Sequence, residues 1–493
     1  MDVTFDLAII GGGINGCGCA ADATLRGLSV ALLEKDDLAS QTSSSSTKLI
    51  HGGLRYLEHY EFNLVRKALT ERQRLLELAP HLIRPQPFVL AYQKYMRPAW
   101  MLRLGLFLYD FLSLKNRLPK CKSISRSNKM GYFLPLQNQL QRGFLFYDAS
   151  TDDARLTLAN ALLAKNHGAS IRTNSQVIDI QQKASLWELT ILPKQGSSYK
   201  LYAKAIINAA GPWVETLNKH MQITSHPMTF VQGSHIVVQK MYDGEQAYLL
   251  QNPDNRVVFV IPYNGFTMIG TTDVLFQGSF DNIYISEAEI NYLLTSVDNY
   301  FTVKPTKEDI VYSWSGVRPL LAQQHTILSK LSRDYYFEVS KTPLPSVTIY
   351  SGKLTTYRQL AEDVIDGLRD IFPNMLACKT KCTPLPGANL NTMNFESFVT
   401  YATKKYAWLG PQLLNRYLYT YGSCMDYFLS TCTNFESMGK KFGDSLYQVE
   451  VDYLVSAEFA TTCEDILKRR TNLFLYMDER NIEELEGYLM SLK

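Results

Sequence analysis

The sequence predicts an α/β protein, a Rossmann-like parallel sheet followed by a helical C-terminal domain. Three observations carry this. Residues 5–34 alternate buried strand, small-residue helix and buried strand, with Gly11-x-Gly13-x-x-Gly16 at the first junction. A second strand signal of the same kind, Ala203–Ala209, runs into Gly211-Pro212-Trp213. After Pro384-Leu385-Pro386-Gly387 the chain turns Tyr-rich and helical in its periodicity, with short polar joints.

Each element follows from its residues. Phe5–Ile10 is a short apolar run, as a strand covered on both faces requires. Ile14–Arg26 is a helix of small side chains that packs closely on a sheet, and Leu28–Leu33 is the second strand, ending at Glu34. Gly11 permits a tight turn, Gly13 a close approach of phosphate to backbone, and Gly16 tight packing of helix on strand. The helix N-terminus offers N–H groups and partial positive charge to a pyrophosphate, and Glu34 is placed to accept hydrogen bonds from a ribose diol. The unit binds a dinucleotide; the motif alone fits NAD and FAD equally.

The loop Gln41–Lys48, which contains Ser44, Ser45 and Lys48, is rich in hydroxyls suited to a pyrophosphate or a flavin edge. It runs into Leu49-Ile50-His51-Gly52-Gly53-Leu54-Arg55-Tyr56. Two glycines there let backbone approach a flat ligand, and His51 and Arg55, four apart, share one helical face, as a substrate site requires. Ala154–Asn166 reads as helix and Ser170–Ile180 as one strand. Gln232–Gln239 and Val257–Pro262 read as antiparallel strands, with Gly270-Thr271-Thr272-Asp273 turning between segments. Ser315–Leu320 sets Arg318 in a turn before Pro319. Ser351–Tyr357 precedes an amphipathic helix, Thr356–Phe372, with Thr355 or Thr356 as N-cap. A helix N-terminus aimed at a flavin stabilises the anionic charge of the reduced ring. Arg55, Arg318 and Lys353 together form an anion receptor of the kind a phosphorylated substrate needs. Arg333, beside Asp334, fits either that receptor or a surface ion pair.

Composition bounds the function. The 493 residues are 46% hydrophobic and 20% charged, which is globular, and a net charge of +3 speaks against a general nucleic-acid binder. Eight cysteines lack disulfide-like spacing, and Cys378 and Cys382 have no second Cys/His pair, so free thiols in a reducing compartment and no metal site are expected. The average charge hides one segment: Lys94–Lys129 holds nine Lys or Arg and one acidic residue, while the rest of the chain is at −5. Within it, Met96–Leu114 sets Trp100, Leu104, Phe107, Tyr109 and Phe111 among Arg97 and Arg103. No run reaches the ~18 apolar residues of a bilayer span, and the apolar start lacks the basic flank of a signal peptide. A cytoplasmic protein is expected, with segment 96–129 lying on a lipid bilayer surface.

At residues 9–23 (IIGGGINGCGCAADA), 43–65 (SSSSTKLIHGGLRYLEHYEFNLV), 97–110, 207–214, 315–320 and 351–363 (SGKLTTYRQLAED), the sequence resembles the FAD-dependent glycerol-3-phosphate dehydrogenase family, within the glycine-oxidase and D-amino-acid-oxidase-like flavoproteins. Ser351 departs from the family's usual glycine. The resemblance implies FAD as cofactor and a discontinuous FAD-binding domain (1–80, 145–230, 310–388). It also implies an interleaved α+β substrate cap (81–144, 231–309) and a C-terminal helical domain (389–493). Glycerol 3-phosphate would be oxidised to dihydroxyacetone phosphate, with electrons passing to a membrane quinone, in a bacterial-type homodimer on the inner face of the cytoplasmic membrane. The implied cofactor set is Gly11, Gly13, Gly16, Glu34, Ser44, Ser45, Lys48, Leu49, Gly52, Gly53, Val177, Ala210, Gly211, Trp213, Gly316, Lys353, Leu354, Thr355 and Thr356. The implied substrate set is Arg55, Tyr56, Thr271, Arg318, Arg333 and Lys353. His51 is the first candidate base and His235 the second, with Arg318 as the catalytic cation. A soluble oxidase releasing hydrogen peroxide and a non-catalytic flavin-binding regulator are the alternatives.

Overall fold

Apolar runs build the first sheet. A computed structural model describes residues 4–113, 117–127, 130–322, 334–390 and 392–492, except for the side chains of residues 55 and 59. Strand β1 (Thr4–Ile10) lies centrally between the parallel strands Val30–Leu33 (β2) and Tyr199–Asn208, and helix α1 (Ile14–Leu25) links β1 to β2. The order is Tyr336–Ser340, Ser346–Ser351, Tyr199–Asn208, β1, β2, Ser170–Arg172. Only the edge strand Tyr336–Ser340 runs antiparallel in this path, and the hairpin Ser175–Lys183/Leu186–Pro193 hangs on Tyr199–Asn208. Helices Asp153–Asn166 and Tyr357–Asp366 pack against α1, enclosing a core of Leu7, Ile9, Leu32, Leu156, Leu360 and their neighbours.

A second, ten-stranded sheet forms the cap. Its path runs Val274–Leu275, Met228–Val238, Phe266–Gly270, Val257–Tyr263, Ala247–Gln251, Ile83–Ala91, Arg142–Thr151, Leu49–Ile50. Ile310–Leu321 adds to Met228–Val238 over its full length. The strand Leu49–Ile50, just before His51, therefore belongs to the cap sheet, although the sequence around it serves the cofactor region.

Three sequence readings change. Ser170–Ile180 is two strands, because Asn174 takes a left-handed φ of 51° and the chain changes neighbours there. Arg318 is not in a turn: it lies inside the twelve-residue strand Ile310–Leu321, opposite Val231. Pro319 is tolerated because, among the described residues, this strand pairs on one side only. The helix expected to reach Phe372 is regular over Tyr357–Asp366 and then loosens into turns.

Past residue 390 the chain is mainly helical around its own core of Phe398, Tyr417, Tyr421, Met425, Leu454 and Ile466, with one short hairpin, Lys441–Phe442/Leu446–Tyr447. Buried ion pairs join it to the first sheet. Arg155, on the helix Asp153–Asn166, forks onto Glu458, and Arg470 grips Asp37 just beyond β2. Both carboxylates are shut off from solvent, where a charge survives only if paired. Glu458→Gln strands the Arg155 guanidinium and should lower the unfolding free energy by about 3–5 kcal/mol in denaturant melts. Asp370→Asn, in an exposed pair with Lys341, should change it by less than about 1 kcal/mol.

Candidate active site

The site starts at the junction of β1 and α1. A Cβ at Gly16 would stand 1.9 Å from the Gly11 carbonyl oxygen, and one at Gly11, where φ is +114°, 2.5 Å from that of Ala209. Only glycine fits at either position, so the helix begins tight on the turn. Its first N–H groups then face a cleft of about 490 Å³. Ile14 N–H donates to the Ser43 hydroxyl at 2.9 Å, which holds the hydroxyl loop at the helix start. At the end of β2, Glu34 accepts N–H bonds from Gly12 (2.6 Å) and Asp36 (2.9 Å). Burial raises its carboxyl above the usual range, against these two bonds.

One cleft collects residues from stretches far apart in the chain. Gly11, Gly13, Glu34, Ser45, Leu49, Val177, Ala210, Gly211, Trp213, Gly316, Lys353, Leu354 and Thr355 line it, as do His51, Tyr56, His235, Thr271 and Arg318. Six expected cofactor residues stand behind the wall. Gly16 serves the packing described above, and the Ser44 hydroxyl closes its own turn on the Gln41 carbonyl. Lys48 lies over the Trp314 ring and pairs with Asp153 at 2.6 Å; against burial, that carboxylate holds its ammonium above the ordinary lysine range. Gly52 makes room for Leu69 and Tyr109 and donates its N–H to the Tyr109 hydroxyl at 2.8 Å. Gly53, at φ +76°, lets the Tyr56 ring fold back on it. Thr356 stands at the N-cap position of Tyr357–Asp366, but its buried hydroxyl makes no cap bond. The Arg55 side chain and Arg333 lie outside the described residues.

The polar end is held firmly. Arg318 donates to Asp273 Oδ1 at 2.9 Å. It owes its place to Gly233 on the facing strand, where a Cβ would be 2.3 Å from Arg318 Nη2 and 2.6 Å from Thr271 Oγ1. Lys353 Nζ sits 3.8 Å above the Tyr56 ring, a cation–π contact that fixes its direction. The His51 N–H donates to Thr355 Oγ1 at 3.2 Å, tying the His51 loop to the Lys353 loop. His235 is buried, stacked on Trp314 at 5.1 Å, with Nε2 3.0 Å from Thr47 Oγ1. Burial, then the Arg318 and Lys48 cations, press its pKa down to about 3. Sequence reasoning missed Gly233, Thr47 and Asn15. Asn15 lines the cleft with a buried, unpartnered Oδ1, against Gly352, where a Cβ would meet its amide at 2.8 Å. A glycine inside a strand was the available signal for Gly233.

These features fit a bound FAD: two Cβ-forbidden glycines under the phosphates, free N–H groups, an acidic residue after β2 and an unsatisfied buried amide oxygen in the wall. A dinucleotide turn and fixed cations sharing one cleft define a dinucleotide-dependent oxidoreductase. The chain belongs to the FAD-dependent oxidoreductase family, whose family model matches residues 6–358. A model of the C-terminal domain of alpha-glycerophosphate oxidase matches residues 378–489. FAD is thus its cofactor, as the sequence leads one to expect.

Curated relatives agree along the whole chain. A glycerol-3-phosphate dehydrogenase of Pseudomonas aeruginosa is 44% identical over 99% of this chain and 95% of its own length. The D-erythritol 1-phosphate dehydrogenase of Brucella abortus is 43% identical over 97% and 96%, and the aerobic glycerol-3-phosphate dehydrogenase of Escherichia coli 40% over 99% and 97%. Among solved structures, the glycerol-3-phosphate dehydrogenase from Bacillus halodurans complexed with FAD superposes with a TM-score of 0.79, at 26% identity, covering 99% of this chain and 90% of that one. A glycine oxidase from Geobacillus kaustophilus shares the fold (TM-score 0.56, 20% identity, covering 74% of this chain and 94% of that one).

Two histidines buried among the described residues, His81 and His235, both have pKa values lowered to about 3, chiefly by burial. The unfolded chain holds those protons below about pH 6.5 and the folded one does not, so stability is complete above that pH and falls as the solution is acidified. Together they should remove about 2 kcal/mol of stability between pH 6 and pH 5. Urea melts across that interval should show about half the loss in His81→Leu.

Proposed function

We propose that this protein oxidises sn-glycerol 3-phosphate at its secondary alcohol to dihydroxyacetone phosphate. The observation that supports the reading best is the convergence of Arg318, Lys353 and His51 on the cleft that holds the dinucleotide turn. Arg318, oriented by Asp273, offers a planar fork to a phosphate or an alcohol oxygen, and Lys353, fixed on Tyr56, offers a point charge. Thr271 and Tyr56 line the space beside them. His51, half-buried and pinned through its backbone to Thr355, is the base that takes the hydroxyl proton. His235 is too weakly basic for that and serves as a neutral hydrogen-bonding wall. Bound FAD supplies the hydride acceptor, and a membrane quinone is its oxidant.

The quinone step requires a lipid surface. Trp100, Leu104, Phe107 and Phe111 recur at helical spacing on Ala99–Leu112 and are 67%, 51%, 63% and 71% exposed, while Leu106 and Tyr109 turn inward. Among the described residues no helix is long and apolar enough to cross a membrane. A fourteen-residue helix with such a face and basic neighbours suits the headgroup boundary. Lys115 and Lys129 of the basic segment lie outside the described residues.

Anaerobic addition of glycerol 3-phosphate should bleach the flavin absorbance in one turnover; D-erythritol 1-phosphate, with the same phosphate and secondary alcohol, is the comparison substrate. Bleaching by neither sinks the proposal. Arg318→Ala should raise KM about 10–100-fold, as loss of a charged hydrogen bond does, and Tyr56→Phe far less. His51→Asn should abolish the normal pH profile; an unchanged rate and profile removes it as base. In air, peroxide formed stoichiometrically with and without a quinone analogue would favour an oxidase. Trp100→Glu with Phe107→Glu should release the protein from sedimenting anionic vesicles while leaving anaerobic bleaching intact.

A further inference from the structure

Asp37 lies three residues past Glu34, in the loop that forms one wall of the cofactor cleft through Glu34, Lys35, Ala39 and Ser40. The loop's backbone is stitched to the glycine turn, with Ala39 N–H donating to the Gly12 carbonyl at 3.0 Å, and it closes on itself, with Ser40 N–H donating to the Asp37 carbonyl at 3.2 Å. The Asp37 carboxylate, however, is only 4% exposed and is taken up by the C-terminal domain. Arg469 Nε donates to Oδ2 at 2.7 Å; Arg470 donates through Nη1 to Oδ2 at 2.6 Å and through Nη2 to Oδ1 at 2.7 Å. Two consecutive arginines reach one carboxylate because Asp465–Arg470 is a π-helical turn, closed by Thr471 N–H on the Ile466 carbonyl, five residues back. Arg470 is anchored in turn on the Glu458 carbonyl, and Arg469 on Asp465.

We propose that Arg469 and Arg470 are positioning residues for the cofactor: through Asp37 they hold the 34–41 loop against the glycine turn, so that the C-terminal domain controls how long FAD stays bound. The inference rests on the placement of FAD given above. A comparable pair, Arg155–Glu458, crosses the same domain boundary with equal burial, but Arg155 sits on a helix whose side chains do not line the cleft. It separates cofactor positioning from general stability.

Holoenzyme is diluted into flavin-free buffer well below its melting temperature, and release is read as the rise of free-flavin fluorescence. Arg470→Met, alone or with Arg469→Met, should release FAD at least tenfold faster than the unaltered protein, and Glu458→Gln less than twofold faster. Release at the unaltered rate in Arg470→Met overturns the proposal, and so does release that simply follows the melting temperature across all variants. If the arginine variants do not fold, Asp37→Asn, which keeps the shape and removes the charge, gives the same readings, and Arg469→Lys should restore most retention. Gly16→Ala tests the cofactor placement separately: if it retains FAD like the unaltered protein, that placement fails, whatever the arginine variants do.

Discussion

The contact on which the rest of the site depends is the one between α1 and the turn that precedes it. With 1.9 Å between a notional Gly16 Cβ and the Gly11 oxygen, the helix cannot start later or lie further out without opening a gap in the sheet-facing core. That closeness aims the first N–H groups into the cleft, brings Glu34 within bonding distance of Gly12 N–H, and leaves Ser43 the free N–H of Ile14 to hold. The remaining walls, from the cap strands and the Lys353 loop, are arranged around this fixed origin.

What then keeps distant segments in register is charge placed where water cannot reach. Lys48 against Asp153, Arg72 against Asp148, Arg155 against Glu458 and Arg470 against Asp37 each join elements far apart in sequence, and all are largely or wholly buried. Such pairs contribute little net stability compared with apolar packing, but losing one partner is expensive, so they select one arrangement over its near neighbours. Lys48 illustrates the division of labour. It stands in the hydroxyl loop, where a cation invites assignment to phosphate, yet the buried Asp153 at the first turn of its helix claims it. The loop is thereby anchored from behind, and its hydroxyls hold its shape: Thr42 donates to the Val317 carbonyl, Ser44 to that of Gln41 and Ser46 to Asp153.

Local signals were legible and non-local ones were not. β1, α1, β2 and Glu34 follow from a thirty-residue stretch in which pattern, glycines and the terminal acid agree, and all stand where expected. Most of the expected cofactor residues and six of the eight expected substrate or base residues do line one cleft. The failures share a cause. Arg318 looked like a turn residue because Pro319 follows it, and only the sheet order reveals an edge strand that tolerates proline. Gly52 looked like a cofactor glycine, whereas its missing side chain accommodates Leu69 and Tyr109. Gly233 offered only the general sign of a glycine inside a strand and Asn15 none, since their value lies in what stands opposite them: a guanidinium in one case, the backbone of Gly352 in the other.

The basic segment shows the same limit from another side. Its charge drew attention in the sequence, but the geometry gives more weight to its apolar residues, because an aromatic face left in water is costlier than lysines left there. The helix Ala99–Leu112 cannot be separated from the site. Its inward Tyr109 donates to Asp148 at 2.8 Å and accepts the Gly52 N–H, while Arg72 closes the set by pairing with Asp148 at 2.6 Å and reaching Ser113 at the helix end. One side of this helix therefore shares a hydrogen-bond network with the loop that carries His51, and the other side is the apolar face left exposed among the described residues. On the proposed reading, the surface that meets lipid and the loop that meets substrate are two faces of one packed unit, held together by a phenol and an ion pair.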